Sequence, residues 1–361
     1  MNFGLIPLER RGPLYIVPWL CTFSCSSNCV HCAFARRESS DALDTSKAFR
    51  IIDRIYDFGA SFVGFSGGEP LMRKDLFEII GYARKIGMRC SIITDGRLFN
   101  DKIFENIIKN EVLVSISIDG AEKVNDLIRG KGAYKAAVSS IKKLSKEGLL
   151  NCLVYTLANY SETATNVSRE DFTHVLDLAR DYGARWVVFH QLIPYSSNPE
   201  SLKAVPSPKQ YEWAWNMLYE LQAVYKGKPA INVYSPFFAR VAKQRGMPDF
   251  ENWYNNFFLG RCFFGKFMSI AENGDVIPCS YNYVYRIGNV LEKPLKILWD
   301  EMQSSEFFSK IRSKNNLKGK CAVCEYLEIC GGCRTAALFQ KGDIFESDPN
   351  CIYMSKALSF K

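Results

Sequence analysis

The sequence predicts an α/β fold: a partial (β/α)6, TIM-like barrel followed by a small cysteine-rich C-terminal domain. Two observations carry this expectation. From residue 15 to about 191, short β-branched runs alternate with amphipathic stretches of helical period, the pattern of repeated βα units on a parallel sheet. Beyond residue 260 the alternation stops, and seven of the chain's 13 cysteines fall there. A length of 361 residues with 47% hydrophobic composition gives room and apolar content for one large domain plus a smaller one.

Six strands are expected, at Tyr15 to Trp19, Phe62 to Ser66, Met88 to Thr94, Val112 to Ile118, Leu150 to Leu157 and Arg185 to Gln191. Helices fit between them at Thr45 to Phe58, Lys74 to Ile86, Asp101 to Lys109, Tyr134 to Glu147 and Arg169 to Tyr182. Pro206 to Lys228 reads as a further helix with its entry. Pro229 to Gly260, rich in aromatics with Gly and Pro, reads as a bridge. The chain thus divides into a barrel core at 1–228, a bridge at 229–260 and a cysteine-rich module at 261–361.

Composition narrows the function. No apolar run approaches the roughly 20 residues of a membrane-spanning helix, and the stretch Met1 to Leu8 is too short for a signal peptide, so a cytoplasmic protein is expected. The net charge of +8 is mild and its cations are interspersed with acids, which permits an anionic substrate without calling for nucleic acid. Thirteen cysteines in a reducing compartment point to metal rather than disulfides. With only three histidines (His31, His174, His190), a zinc site would be almost all-cysteine, and His-rich iron or copper centres are disfavoured.

Cys25-x3-Cys29-x2-Cys32 follows the first strand, on the loop where barrel-like α/β folds gather their active sites. Three thiolates at this spacing can hold three irons of a cubane cluster and leave the fourth open for chemistry. The triad alone also fits a zinc knuckle or a redox dithiol. Ser66-Gly67-Gly68-Glu69-Pro70 ends the second strand: its glycines let backbone approach a ligand, and Glu69 offers an anionic acceptor for an ammonium group. Thr94-Asp95-Gly96 ends the third strand and Ser117-x-Asp119-Gly120 the fourth, with Arg129-Gly130 after it. Each could be an ordinary turn; their shared order at successive strand ends points to one site.

In that order the motifs resemble those of the radical S-adenosylmethionine (SAM) superfamily, with Thr22 three residues before Cys25 and His31 at a position usually aromatic or His. The resemblance covers nearly the whole chain. It implies a catalytic [4Fe-4S] cluster on Cys25, Cys29 and Cys32, whose unique iron is chelated by SAM, and one-electron cleavage of SAM to a 5′-deoxyadenosyl radical. It also implies SAM contacts from His31, Gly67, Gly68, Glu69 (amino group), Thr94, Ser117 and Asp119 (ribose hydroxyls) and Arg129 (carboxylate). Thr94-Asp95-Gly96 stands where the family often has Thr-Asn-Gly.

The C-terminal module resembles a SPASM domain, an auxiliary iron-sulfur domain found behind many such cores: Cys262-x11-Gly274-x4-Cys279, then Gly288-Asn289, Trp299 and the remaining cysteines. The resemblance implies one or two auxiliary clusters, with Cys321, Cys324, Cys330 and Cys351 holding one, and Cys262, Cys279 and Cys333 the other. The second set is one ligand short, so its fourth position is open to substrate, is filled by another group, or the cluster is absent. Cys330 and Cys333 are separated by two residues where the general pattern has three. Cys90 and Cys152 read as small buried hydrophobes and Cys21 as a spectator, while His190 is either a satisfied core residue or a substrate contact.

The run from Leu317 through Cys333-Arg334 resembles the branch containing alternative heme-biosynthesis enzymes, which oxidise tetrapyrrole side chains; similar tails occur in mycofactocin-type peptide maturases. Only 24 residues precede Cys25, few for an attached leader-peptide domain, which tilts the expectation toward a tetrapyrrole. The readings are therefore oxidation of a tetrapyrrole side chain, maturation of a ribosomally made peptide or protein, or, from another class, a non-catalytic iron-sulfur carrier. The enzyme readings imply a flavodoxin- or ferredoxin-like electron donor.

Overall fold

A computed structural model of the protein describes residues 13–32, 43–161, 164–194, 199–256 and 261–354. Residues 1–12, 257–260 and 355–361, at the outer edges of the three expected segments, lie outside the described residues.

Seven parallel strands lie side by side in chain order: β1 (Ile16–Thr22), β2 (Phe62–Gly67), β3 (Arg89–Thr94), β4 (Leu113–Ser117), β5 (Leu150–Thr156), β6 (Trp186–His190) and β7 (Ala230–Tyr234). Six of them match expected strands. The seventh falls in the stretch read as a bridge, where Pro229, Pro236 and neighbouring aromatics mask a five-residue run. What makes that run a strand is its partner: Val187 pairs with Ile231 and Phe189 with Val233. On the other side of β1, the short strands β8 (Ser269–Ile270), β9 (Asp275–Ile277) and β10 (Gly288–Asn289) extend the sheet, with Trp19 of β1 in parallel register with Ile270. The cysteine-rich module is thus stitched to the barrel through its first strand.

Helices α1 (Thr45–Asp57), α2 (Leu76–Lys85), α3 (Asp101–Lys109), α4 (Glu122–Arg129), α5 (Ala133–Lys146), α6 (Arg169–Asp181), α7 (Pro199–Lys203) and α8 (Pro208–Val224) connect the strands. Asp44, Asn100 and Ser168 cap α1, α3 and α6 by accepting a backbone N–H, and α8 opens with a Ser207/Gln210 capping box and Pro208 in its first turn. The sequence reading passed over α4, whose buried side chains are only Asn125 and Ile128, too few to leave an apolar period. No described helix is long and apolar enough to cross a membrane.

The two faces of the sheet differ. On one, Val63, Phe65, Ile92, Val114, Leu153 and Phe189 are fully buried beneath the helices in a continuous apolar core. Each such side chain contributes roughly 1.5–3 kcal/mol by leaving water. The other face carries small and polar residues in register: Gly64 beside Ser91, Ser117 beside Val154, and the row Thr156, His190, Tyr234. Ser66, Ser117, Thr156, His190 and Asn232 are only half-buried there, and Ile93 and Tyr234 are exposed. This open face, at the carboxyl ends of the strands, is where a ligand can sit.

The second module is packed onto the core. Trp299 meets Phe58 at a ring separation of 6.0 Å, and Arg50 Nη2 donates to the Leu291 carbonyl at 3.0 Å. A Cβ at Gly288 would lie 2.5 Å from Leu298 Cδ2, so that leucine packs directly over the glycine of the Gly-Asn pair.

Candidate active site

The loop after β1 carries Cys25 (exposed), Cys29 (buried) and Cys32 (intermediate). It is held from below by the second strand end: Gly68 N–H donates to the Thr22 carbonyl at 2.7 Å and Glu69 N–H to the Ser24 carbonyl at 2.8 Å. A Cβ on Gly67 would lie 2.3 Å from the Thr22 oxygen, and one on Gly68 would lie 2.4 Å from that of Ser24. The close approach these glycines permit is therefore to the chain's own cysteine loop. From the second module, the fully buried Glu272 carboxylate accepts the Phe23 N–H, and Phe23 packs edge-on against Tyr283. Glu272 escaped the sequence reading because its partner lies 249 residues away.

The three cysteines share one space, since the Cys32 thiolate disfavours ionisation of both Cys25 and Cys29. Burial pushes the Cys29 thiol up to about 12, with the Arg129 charge pulling it back. Burial thus disfavours the thiolate forms of Cys25 and Cys29, and iron, which binds the deprotonated form, fits the donor set.

Glu69 sits at the centre of the neighbouring wall. Its Oε2 accepts Thr94 Oγ1–H at 2.8 Å and Asp95 N–H at 3.3 Å, and its Oε1 accepts Leu71 N–H at 3.1 Å. Burial raises its pKa to about 7, assisted by Asp95 and opposed by these hydrogen bonds. A buried carboxylate so raised is a site that gains from a cation. Asp95 in turn accepts Ser27 Oγ–H from the cysteine loop at 2.5 Å.

His31, Asp119 and Arg129 form one buried assembly. Arg129 Nε donates to Asp119 Oδ2 at 2.6 Å, His31 Nε2 stands 3.2 Å from the same oxygen, and Arg129 Nη2 lies 3.5 Å from His31 Nε2. Asp119 Oδ1 accepts Thr156 N–H at 2.7 Å. Burial alone would raise the Asp119 carboxyl, but Arg129, His31 and the hydrogen bonds outweigh it and hold it well below the usual range. Both Asp119 oxygens are thus engaged within the chain, and its visible work is to orient Arg129 and His31. Ser117, half-buried at the end of β4, is the member of the expected ribose pair on the open face.

His190 lies on the same face, stacked on Tyr234 at 4.6 Å, with Nδ1 3.1 Å from the Tyr281 hydroxyl. Burial pushes the imidazole down to about 4, so it is neutral at pH 7. Tyr281, which the sequence reading missed, belongs to the second module and stands within electrostatic reach of Cys32, Cys279 and Cys333. Its position two residues after Cys279 is the signal that was available. Of the other cysteines, Cys21 and Cys90 lie in the apolar core, and Cys152 Sγ donates to Ser115 Oγ at 3.1 Å.

The C-terminal cysteines assemble in two groups. Cys321, Cys324, Cys330 and Cys351 line one small cavity, partly open to solvent. Cys262, Cys279 and Cys333 are mutually close, since Cys262 disfavours ionisation of Cys279 and both do so for Cys333. Burial pushes Cys279 and Cys351 up to about 11 and raises Cys330 and Cys333 as well. Gly331 and Gly332, both at φ near +70°, turn the chain between Cys330 and Cys333, so the shortened spacing still delivers one cysteine to each group. Among the described residues no three His, Cys, Asp or Glu side chains converge at single-ion distance; the cysteines border spaces rather than points.

Comparison with known proteins agrees with this geometry. The family model "Radical SAM superfamily" matches residues 19–165, and an "Iron-sulfur cluster-binding domain" model, SPASM, matches residues 262–325. The AdoMet-dependent heme synthase of Methanosarcina barkeri is 33% identical, over 94% of this chain and 96% of its own length. The mycofactocin maturase MftC of Mycolicibacterium smegmatis is 27% identical, over 92% and 81%. Among solved structures, Streptococcus suis SuiB bound to S-adenosylmethionine is similar in fold, with a TM-score of 0.73 at 19% identity over 95% of this chain and 78% of that one.

Proposed function

Because this chain belongs to the radical SAM superfamily, as an enzyme with a SPASM iron-sulfur domain behind its core, we propose that it oxidises a side chain of a tetrapyrrole. Its cofactors are a [4Fe-4S] cluster, SAM and auxiliary iron-sulfur clusters. When bound, they supply the reductive cleavage of SAM to a 5′-deoxyadenosyl radical that takes hydrogen from substrate, and a route for the electron left behind.

In this reading Cys25, Cys29 and Cys32 hold the core cluster, and Glu69, braced by Thr94 and Leu71, accepts the SAM ammonium. Arg129, fixed by Asp119 through Nε, presents its remaining donors to the SAM carboxylate. Ser117 reaches a ribose hydroxyl, while Gly67 and Gly68 seat the cysteine loop. The open face around His190 and Tyr234 receives the substrate, and Tyr281 closes it from the second module. A flavodoxin- or ferredoxin-like protein delivers the reducing electron.

The observation that carries the tetrapyrrole reading is the end-to-end similarity, at 33% identity, to a heme synthase. The peptide-maturase reading draws on the MftC match and on the shared fold of SuiB. The test is anaerobic reconstitution, reduction and addition of SAM with Fe-coproporphyrin III as probe. The expected result is 5′-deoxyadenosine formation stimulated by the porphyrin, with a changed porphyrin mass, in wild type but not in the Cys25, Cys29, Cys32→Ala triple variant. Formation of 5′-deoxyadenosine with the porphyrin neither bound nor changed would overturn the tetrapyrrole reading.

A further inference from the structure

We propose that Arg240 sets the reduction potential of the cluster held by Cys321, Cys324, Cys330 and Cys351, favouring its reduced state and so making it an electron acceptor; this rests on the reading of the module given above. Arg240 lies on α9 (Phe238–Gln244), just after β7, outside the cysteine-rich module. It is 1% exposed and lines the cavity of those four cysteines together with Lys320 and Tyr353.

Its guanidinium is fixed on three sides. The plane lies over the Tyr353 ring at 4.8 Å, Nη1 donates to Glu212 Oε1 at 3.0 Å and to Gln244 Oε1 at 2.6 Å, and Nη2 donates to the other Glu212 oxygen. The remaining donor, Nε, is buried and has no hydrogen-bond partner among the described residues. The charge is close enough to Cys324, Cys330 and Cys351 to act on each of them. An unsatisfied donor on a buried cation, in the wall of a cavity lined by four cysteines, is matched to an anionic group in that cavity.

The ion pair alone is a weak reason for this arrangement, because an Arg–Glu pair is commonly no better than well-packed hydrophobes of similar volume, and Glu212 is part-exposed. Electrostatics toward the cluster is a stronger one. Each one-electron reduction of a thiolate-bound cluster adds negative charge in a poorly solvated place, and a fixed cation stabilises the reduced form more than the oxidised one. Glu212 opposes this, as do Asp348 beside Cys330 and Cys351 and Glu325 beside Cys324; Arg240 offsets them from a buried place, while the Glu212 side chain is 29% exposed and so better screened. In the reaction the side-chain radical would give one electron to the cluster, which is thereby reduced, while the adjoining carbon releases a proton, or carbon dioxide from a carboxylate, and a carbon–carbon double bond forms. An oxidised flavodoxin- or ferredoxin-like carrier then takes the electron away.

The experiment uses the reconstituted protein in the Cys25, Cys29, Cys32→Ala background, so that only auxiliary clusters remain, with reduction followed by electron paramagnetic resonance at controlled potential. The signal is assigned by its loss in Cys330→Ala. Arg240→Gln is expected to cut the reduced-to-oxidised ratio at a fixed potential about tenfold, equivalent to about 59 mV for one electron. Arg240→Lys should recover part of that change, and Glu212→Gln should shift the ratio in the opposite direction. A packing role would move the Arg240 and Glu212 variants the same way, and that result, or an unmoved potential in a protein that holds the cluster, overturns the inference. If Arg240→Gln does not fold, Glu212→Gln alone decides by its sign. Absence of any Cys330-dependent cluster would sink the reading of the module along with the inference.

Discussion

The three cysteines after β1 sit mainly among acids, whereas the four that line the C-terminal cavity sit among cations and acids together. Around the first group stand Glu69, Asp95 and Asp119, and the Arg129 charge is paired with Asp119. Around the second stand Arg240 and Lys320 facing Asp348 and Glu325, and the adjoining space beyond Gly331 adds Lys266, Arg312 and Lys314. Identical donor atoms are thus placed among different sets of charges. SAM brings an ammonium and a sulfonium to the core, where a negative wall attracts them; an auxiliary cluster would gain negative charge when reduced, which Arg240 and Lys320 would stabilise.

The contrast can be broken most directly at the two buried arginines. Arg129→Met strands Asp119, which is fully buried, and should lower stability by about 3–5 kcal/mol in urea unfolding. Arg240→Met should cost only about 1–3 kcal/mol, because its partner Glu212 is part-exposed and can return to water. Equal losses would mean that the two charges are held alike, and the contrast would fail.

A smaller effect is expected where the core loop is seated. Gly68→Ala forces a methyl group against the Ser24 carbonyl and should cost about 1–3 kcal/mol as the cysteine loop lifts from β2. The iron content of the core should fall while that of the auxiliary cavity is unchanged, as measured with and without Cys25, Cys29 and Cys32. Iron lost equally from both places would show that the loop and the second module move as one.

The acid wall itself can be titrated. Glu69, raised to about 7, is largely protonated in the free protein below that pH and must release its proton to accept an ammonium. SAM affinity should therefore be constant above about pH 8 and fall as pH drops, by about tenfold at pH 6, equivalent to about 1.4 kcal/mol. The sign for the free fold is the reverse. A raised carboxyl contributes stability fully below its unfolded value near 4.5 and loses it as pH rises through about 7. Calorimetry of SAM binding at pH 6 and 8 measures the first effect; an affinity that does not change with pH would remove Glu69 from the ammonium site.

Much of the site was legible before any coordinates. Cys25, Cys29 and Cys32, the Gly-Gly-Glu at 67–69 and Thr94 are read from spacing and strand-end position, which are local properties of the chain. The same holds for the six expected strands, whose β-branched runs are long, and for the capped helices between them. The role of each residue was less legible than its place. The glycines were expected to approach a ligand, and the structure adds that both lie close against the cysteine loop. Asp119 was expected at the ribose and is engaged by Arg129, His31 and Thr156.

The sequence by itself determined the alternating α/β architecture, the two cysteine groups and the order of the motifs, because period, spacing and turn chemistry act over a few residues and survive in one dimension. Only the tertiary structure decided that 230–234 is a strand, that β8 joins β1, and that Glu272 and Tyr281 reach back to the core. It alone set Arg240 beside cysteines 81 to 111 residues further along the chain. Those outcomes depend on which groups share a buried space, and burial strengthens charge interactions and penalises unpaired donors whatever their separation in sequence.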